Sequence, residues 1–358
     1  MKIAFIGFWT NYPGGLLRRI SRVYSFLCGQ NKNLSCDILL VGGSKKEKTE
    51  TMFNKIDCST DNLRIIRMSP IECLLFLLFT NRYSLVHFWG NSRFSEILQR
   101  ILRIKRQKAL YTVCDYRVGY GLFDETVMKR VRRLFRNAEY IDLLYPAAEE
   151  FVRENTKGKV FITPGTFTDL SIFKPEKKEK IMVYAAARLE DNKNPMLLVR
   201  AVNLCRDEIR KNGCRVIILG DGEYKEYLKS YIGKNDLIDI VALAEYQKTS
   251  KYLPSAEVFF SLQENENYPS QSLAEAVACG CYSIITDVGD SRKCATEQFA
   301  SFVEGTETAV AMAIRKYFSM DEKEKRDIIN SAREFALKNY SIEKIKDYYM
   351  SLLDTICE

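Results

Sequence analysis

The chain has 358 residues, of which 46% are hydrophobic and 28% are charged. This balance is typical of a folded globular protein, and the length favours two domains over one. The longest apolar run, Cys73–Phe79, is far shorter than the roughly 18 residues of a membrane-spanning helix. Eleven cysteines without a C-x-x-C pair, and a single histidine, argue against a disulfide scaffold or a structural zinc site. We therefore expect free thiols in a reducing cytoplasm.

Charge is unevenly distributed along the chain. Residues 1–175 contain 28 Lys and Arg against 16 Asp and Glu, whereas the remainder contains 26 against 30. Two basic amphipathic segments, 93–108 and 127–136, lie in the first half. Each segment either packs its apolar side on a sheet and leaves its cations in water, or docks on an anionic membrane surface. Nucleic acid is a weaker candidate, because no recognised nucleic-acid motif accompanies the charge.

Short apolar, β-branched runs alternate with amphipathic segments, and they do so twice. Strands are predicted at 2–7, 36–41, 63–67, 84–88, 109–113 and 140–144, and again at 181–187, 215–219, 238–243, 257–262, 281–286 and 300–303. Helices are predicted at 15–28, 92–104 and 122–137. This alternation predicts an α/β protein with two doubly wound, Rossmann-like domains. Ligands are expected at the carboxyl ends of the strands, in a cleft between the domains, and the charged stretch 174–180 is the predicted linker.

A candidate phosphate site follows the first strand of the second half. The strand ends at Arg188, and Lys193 comes just before a helix that starts near Pro195. Two cations beside a helix N-terminus favour an anion, because the dipole and the unpaired N–H groups add to both charges. The alternative is a pair of solvated surface cations.

The region from Phe259 to Gly280 carries the most specific pattern. A strand leads into a polar loop, and a helix from about Ser270 places Glu275 among small apolar residues. A carboxylate there is costly without hydrogen-bond partners, which a ribose diol would supply. The alternative is a glutamate at the exposed edge of the helix. Gly222, after an earlier strand, either admits a ligand or simply makes the turn.

In chain order, Arg188 and Lys193, Gly220–Gly222, Glu266–Pro269 with Glu275–Gly280, and Thr286–Gly289 resemble family 4 of the retaining glycosyltransferases (glycosyl transferases group 1). The resemblance covers essentially the whole chain. It implies the GT-B fold, with an acceptor-side domain at 1–172, a nucleotide-sugar-binding domain at 173–338, and a helix at 339–358 that crosses back to the first domain.

The resemblance also implies the chemistry. A sugar would pass with retention of configuration from a UDP- or GDP-sugar to a glycan or lipid-linked acceptor. The enzyme would use no metal or other cofactor, consistent with the lack of an Asp-x-Asp pair. The expected setting is bacterial surface-polysaccharide or glycoconjugate synthesis, in the cytoplasm and peripherally at the inner face of the membrane.

Roles follow residue by residue from the resemblance. Arg188 and Lys193 would neutralise the leaving diphosphate, Glu266 would orient sugar hydroxyls, and Glu275 would hold the ribose. The other donor-side residues are Gly14, Gly15, Gly222, Tyr246, Asn267, Tyr268, Pro269, Ser270, Gln271 and Ser272. The acceptor-side residues are His87, Cys114, Asp115 and Arg117.

Two departures from the family pattern keep alternatives open. Eight residues, rather than the usual seven, separate Glu266 from Glu275, so strict spacing would place Asn267 on the donor sugar. Cys114 stands where relatives often have a histidine, and His87 at its strand end is either structural or catalytic. A catalytically silent partner subunit is therefore the alternative function. A nicotinamide oxidoreductase is disfavoured because Gly7 does not begin a G-x-G-x-x-G run.

Overall fold

The computed structural model describes residues 1–8, 15–42, 62–244 and 249–357. Two residues assigned above to the donor site, Gly14 and Tyr246, lie outside these ranges. The chain forms two compact units: unit 1 comprises Met1–Pro164 with Ile345–Glu358, and unit 2 comprises Gly165–Lys344.

Within the described residues, unit 1 is built on a seven-stranded sheet with the order β3-β2-β1-β4-β5-β6-β7. The neighbouring strands are all parallel. The inner strands are almost entirely apolar, as parallel strands buried on both faces require. The strands are β1 Lys2–Phe8, β2 Ser35–Val41, β3 Leu63–Met68, β4 Leu85–Trp89, β5 Ala109–Val113, β6 Tyr140–Leu143 and β7 Lys159–Ile162.

Three helices of unit 1 begin at polar caps, at Ser69, Ser92 and Asp124. Ser69 forms a capping box with Glu72, and the Asp124 side chain accepts from the Val127 N–H, which satisfies N–H groups that lack partners within the helix. The helices are α1 Gly15–Gln30, α2 Pro70–Phe79, α3 Arg93–Ile104, α4 Glu125–Asn137 and α5 Glu149–Asn155. The three predicted helices are confirmed. Helix α2 was missed because its run is apolar almost throughout and shows little amphipathic period.

Unit 2 repeats the architecture with a six-stranded parallel sheet in the described residues, ordered β10-β9-β8-β11-β12-β13. The six strands predicted in the second half are all present. They are β8 Ile181–Arg188, β9 Arg215–Asp221, β10 Val241–Ala244, β11 Val258–Ser261, β12 Tyr282–Thr286 and β13 Ala300–Val303. The helices are α6 Pro195–Leu204, α7 Arg206–Asn212, α8 Lys225–Lys234, α9 Gln271–Ala278, α10 Glu307–Ser319 and α11 Glu322–Asn339. The last helix, α12 Ile342–Cys357, begins in unit 2 and continues into unit 1.

The order of the strands defines one switch point in each sheet. In unit 2 the chain builds outward from β8 to β10, and then returns to place β11 on the other side of β8. In unit 1 the same reversal separates β1 from β4. Helices that leave in opposite directions open a crevice at the carboxyl ends of the two central strands, where doubly wound sheets bind ligands.

The division between the units lies at Pro164 rather than at residue 172. The Thr166 hydroxyl donates to Gln271 at 2.7 Å, and the Thr168 N–H donates to the Tyr340 carbonyl at 2.9 Å. These bonds place the segment after Gly165 in unit 2.

The stretch 174–180, predicted as a linker, packs within unit 2. The Lys178 ammonium donates to three carbonyls there, those of Pro254, Ala256 and Cys279. The ammonium is hydrogen-bonded to backbone oxygens of the folded unit rather than to water. The charged composition of the stretch therefore wrongly predicted a solvated linker.

The end of helix α12 belongs to unit 1, from Ile345 onward. The Tyr348 hydroxyl donates to Asp142 Oδ1 at 2.5 Å, and the Tyr349 hydroxyl donates to Oδ2 at 3.2 Å. The Asp142 carboxylate is fully buried, so these bonds replace the water that it lost on folding. The C-terminal helix is thereby fixed in unit 1 by polar contacts as well as by packing.

Candidate functional site

The carboxyl edge of the unit 2 sheet collects most of the residues assigned to the donor. Strand β8 ends at Arg188 and β9 at Asp221, whereas β11 and β12 lead into the loops that carry Glu266 and Gly289. Strands β8 and β11 are the pair at the switch point. The residues predicted from widely separated segments therefore share one edge of one sheet.

Lys193 lies at this edge, in the turn between β8 and α6. Asn194 follows in the left-handed conformation with φ of 53°, and Pro195 opens the helix. The Tyr184 hydroxyl donates to the Lys193 carbonyl at 2.7 Å and so fixes the turn. Burial lowers the pKa of the Lys193 ammonium; Glu190 opposes this effect and Arg188 adds to it. The cation is thus held partly out of water beside a helix N-terminus.

Arg188, by contrast, is open to solvent. Its side chain is 67% exposed, and its guanidinium lies 3.3 Å from the Glu190 carboxylate. An ion pair this exposed is worth little and exchanges readily. Arg188 can therefore turn toward an incoming anion at small cost.

Gln263 links Lys193 to the loop after β11, and sequence reasoning missed it. Its Oε1 accepts from Lys193 Nζ at 2.6 Å, and its Nε2 donates to Asn267 Oδ1 at 2.8 Å. The same Asn267 oxygen accepts from the Ser261 hydroxyl at 2.7 Å, and Asn267 Nδ2 donates to the Ser261 carbonyl at 2.9 Å. No motif marks Gln263, because its role depends on the pairing of β8 with β11.

Asn267 is the residue that strict spacing would place on the donor sugar. The Asn267 side chain is buried, and both ends of its amide are engaged with Ser261 or Gln263. Its side chain therefore holds the loop and supports Gln263.

Glu266 is also buried, with its carboxylate inside the loop that follows β11. Glu266 Oε1 accepts from three backbone N–H groups, those of Asn267 at 2.8 Å, Tyr268 at 2.8 Å and Asp290 at 3.0 Å. Gly289, with φ of 52°, packs so closely that a Cβ there would lie 2.5 Å from Glu266 Oε2. The carboxylate is preorganised by backbone donors, and it ties the two loops together.

Helix α9 begins beside this loop. Ser270 caps it, with its hydroxyl accepting from the Leu273 N–H. Gln271 Nε2 donates to the Phe167 carbonyl at 3.1 Å and to Glu275 Oε1 at 3.1 Å. Tyr268 and Pro269 precede the cap, and Ser272 lies in its first turn.

Glu275 is partly buried and already has protein partners. Besides the amide of Gln271, its Oε2 accepts a hydrogen bond from the Thr249 hydroxyl. Neither donor is buried: Gln271 is exposed on α9, and Thr249 is partly exposed in the segment Thr249–Lys251. A ribose diol could replace both with equivalent bonds. The partners explain how a carboxylate is tolerated among alanines before any ligand binds.

Gly222 makes the tight turn after β9. Its φ is 150°, and a Cβ there would lie 2.7 Å from the Leu189 carbonyl oxygen. The backbone of Leu189 bonds on both sides of this turn, to the Asp221 carbonyl and the Tyr224 N–H. Close backbone packing therefore accounts for the glycine. Gly15, at the other end of the chain, is the first residue of α1.

The sequence predicted His87 at the end of its strand, and the structure corrects this position. It lies inside β4, paired with Phe5 and Leu110, and it is fully buried. Its Nδ1 is 2.8 Å from the Tyr24 hydroxyl, and its Nε2 is 2.7 Å from the Thr112 hydroxyl. Burial lowers its pKa to about 4, although Asp142 opposes the change. A neutral, enclosed imidazole is structural rather than acceptor-facing.

The other three acceptor-side residues follow β5. Asp115 and Arg117 form a bidentate pair, with bonds of 3.0 and 2.8 Å, and the guanidinium lies over the Phe123 ring. Burial raises the pKa of the Cys114 thiol, so this cysteine is a poor nucleophile at neutral pH. The arrangement offers an exposed ion pair for polar contacts and no reactive thiolate.

The two basic helices of unit 1, α3 and α4, are linked by ion pairs. Glu96 of α3 lies within 4 Å of three arginines, Arg100, Arg130 and Arg133. Both helices bury an apolar side, which includes Leu98 and Leu134. The observed packing is the one expected of ordinary sheet-covering helices.

Comparison with known proteins agrees with the geometry. Residues 167–335 match the family described as glycosyl transferases group 1. A Campylobacter jejuni GalNAc-α-(1→4)-GalNAc-α-(1→3)-diNAcBac-PP-undecaprenol α-1,4-N-acetyl-D-galactosaminyltransferase is 21% identical over 206 residues, which are 57% of this chain and 56% of that protein. The chain thus matches little more than half the length of this relative.

Solved structures resemble the chain over nearly its full length. Sucrose-phosphate synthase from Thermosynechococcus elongatus superposes with a TM-score of 0.80 at 17% identity, covering 99% of this chain and 98% of that one. Anabaena HepE in complex with UDP and glucose gives 0.78 at 14% identity, covering 99% and 100%. The fold of the chain is GT-B, as predicted, and the findings together support the glycosyltransferase family.

Proposed function

We propose that this chain, with its GT-B fold and its group 1 C-terminal region, is a retaining glycosyltransferase that uses a UDP- or GDP-sugar. The observation that carries the proposal is Lys193, a partly buried cation at the switch point of unit 2, held by the Gln263–Asn267 pair. A fixed, partly desolvated cation beside a helix N-terminus suits a diphosphate, because each feature strengthens its attraction for the anion.

The transfer step follows from charge. The bond between the anomeric carbon and the diphosphate oxygen breaks, and its electron pair leaves with the nucleotide. A new bond forms from the acceptor hydroxyl oxygen to the same carbon, and the hydroxyl proton is released. Lys193 and Arg188 meet the charge that grows on the leaving diphosphate, which is the kind of term that dominates enzymatic catalysis. Glu266 faces the positive charge that develops on the sugar ring, and Glu275 holds the ribose.

Donor and acceptor classes are inferred from the relatives. The Anabaena structure contains UDP and glucose, and the Campylobacter transferase extends a polyprenyl diphosphate-linked glycan. We extend both features to this chain: a nucleotide-sugar donor and a glycan or lipid-linked acceptor, in bacterial glycoconjugate synthesis. The expected location is the cytoplasm, at the inner face of the membrane. Metal independence is a further part of the proposal, because the two cations rather than a metal ion are expected to meet the diphosphate charge.

The test is calorimetric titration of the protein with a panel of UDP-, GDP- and ADP-sugars, followed by turnover with the tightest donor. Arg188→Ala and Lys193→Ala should each lower kcat on the order of a hundredfold and keep the wild-type melting temperature. Lys225→Ala is the matched control. Lys225 is the first residue of α8, and its ammonium pairs with the Asp221 carboxylate at 3.2 Å. Near-normal rates in both site variants would refute the diphosphate assignment.

A catalytically silent partner subunit is the second candidate. It is favoured by the burial of His87, the only histidine in the chain, because a histidine-dependent step then has no residue to perform it. Donor hydrolysis or transfer by the purified chain would eliminate this candidate. Nucleotide-sugar binding without any turnover, alone or with an added glycan acceptor, would support it.

A further inference from the structure

Helix α2 exposes a continuous apolar face. Its positions 71, 75, 78 and 79 recur at the spacing of one side of a helix, and the side chains are large. The exposed fractions are 70% for Ile71, 50% for Leu75, 37% for Leu78 and 80% for Phe79. We call these four residues the α2 apolar face. A contiguous apolar surface of this kind usually marks an interaction site.

The adjoining end of α3 extends this surface. Lys105 Nζ donates to the Leu77 carbonyl at 2.7 Å and also to the Thr80 carbonyl. The C-terminal ends of α2 and α3 therefore lie side by side. Ile104, the last residue of α3, is 80% exposed. Two strongly exposed apolar side chains, Phe79 and Ile104, thus project from neighbouring helix ends.

Basic residues surround this end of unit 1. Residues 70–108 contain seven Lys and Arg against two Glu. Arg103 and Arg106 next to Ile104 are exposed. Arg82 lies over the Phe76 ring at 4.8 Å, but its guanidinium also pairs with Asp37 at 2.9 Å, so Arg103 and Arg106 provide the available charge. One of the two glutamates, Glu72, closes the capping box at the opposite end of α2, and the other, Glu96, pairs with arginines. An apolar face with a cationic rim matches an anionic bilayer, which offers hydrocarbon beneath negative headgroups.

We propose that the α2 apolar face inserts into the interface of an anionic membrane, with Phe79 and Ile104 deepest and the neighbouring arginines on the lipid headgroups. No helix among the described residues is long and apolar enough to cross a membrane. The face would lie in the plane of the bilayer, because the 10 residues of α2 span only about 15 Å. This inference rests on the proposed function, because it brings unit 1 to the surface where a lipid-linked acceptor resides. It assigns the contact to α2, whereas composition had pointed to the two basic helices.

Vesicle flotation tests the assignment. Wild-type protein is mixed with vesicles of phosphatidylcholine alone or with phosphatidylglycerol, and compared with the double variant Leu75→Gln, Phe79→Gln. We expect wild-type binding to the anionic vesicles, weakened by salt. In the double variant the partition should fall on the order of a hundredfold, about tenfold for each side chain removed from hydrocarbon. Arg103→Gln with Arg106→Gln should reduce the preference for the anionic lipid.

The matched control is Ile238→Gln with Met312→Gln. These side chains are 72% and 62% exposed, they lie in unit 2, and their loss should leave flotation unchanged. Equal flotation of wild type and the α2 variant would overturn the proposal, as would no binding to anionic vesicles. A wild-type oligomer that the α2 variant converts to a monomer would also overturn it, by showing a protein interface instead. Donor titration in solution separates the two proposals: intact donor binding without flotation refutes only this one, and flotation without donor binding refutes only the proposed function.

Discussion

Lys193 and Gln263 are 70 residues apart in the chain, yet Lys193 Nζ donates to Gln263 Oε1 at 2.6 Å. Gln263 in turn donates to Asn267, whose amide is buried against Ser261. The ammonium is therefore positioned by a chain of side chains rooted in the loop after β11. We infer that Gln263 is a positioning residue, which acts through Lys193.

Gln263→Glu should lower kcat/KM on the order of a hundredfold, because the new carboxylate neutralises the cation that meets the diphosphate. It should also raise the pKa of Lys193, which burial holds below its ordinary value. Activity requires the charged ammonium, so the alkaline limb of the pH–rate profile should move to higher pH. Glu264→Gln is the control, since Glu264 is exposed. A lower rate with an unmoved alkaline limb would show that Gln263 is merely structural.

Glu266 and Asn267 should fail in different ways. Glu266→Gln keeps an oxygen for the backbone donors but removes the charge, so we expect a rate loss on the order of a hundredfold with a nearly normal melting temperature. Asn267→Ala leaves buried partners without bonds, at about 1–3 kcal/mol for each group, and should lower the melting temperature by several degrees. Thermal melts beside steady-state kinetics check both. A Glu266→Gln protein with full activity would remove the carboxylate from the site.

His87 should make the fold sensitive to acid. Its pKa is about 4 in the folded protein against about 6.5 when unfolded. Between these values the unfolded chain binds a proton that the native state does not, so stability falls as pH drops from about 6.5 to 4. The full effect is about 3 kcal/mol, at 1.36 kcal/mol per pH unit of difference. Urea unfolding of wild type and His87→Gln at pH 7.5 and 4.5 measures it: the variant should be less pH-dependent, and parallel losses would contradict the assignment.

Turnover should survive an excess of EDTA. Cations and backbone N–H groups are expected to meet the diphosphate charge, which leaves no step that requires a metal. The measurement is the initial rate after dialysis against the chelator, with and without added magnesium or manganese. Activity that is lost and then restored by either ion would overturn the interpretation that the donor site works without a metal.

Local patterns along the chain were enough to predict the alternation of strands and helices, the two doubly wound units, and the sheet edge that holds most of the residues assigned to the donor. These features are local: the apolar period, the caps and the glycine turn at Gly222 depend on residues a few positions apart. The motifs around Arg188, Lys193 and Glu275 also follow strands that were predicted correctly, β8 and β11. Nothing in those patterns required the position of a distant side chain.

Which side chains contact one another could not be predicted from these local patterns. The sequence does not show that Gln263 reaches Lys193, that Glu266 holds three backbone N–H groups, or that His87 is enclosed between Tyr24 and Thr112. Each depends on strand order and loop path, which bring residues far apart in the chain within hydrogen-bond distance. The exposure of α2 could not be predicted either. An apolar segment has the same sequence pattern whether the fold covers it or leaves it at the surface, because burial depends on how the whole domain packs.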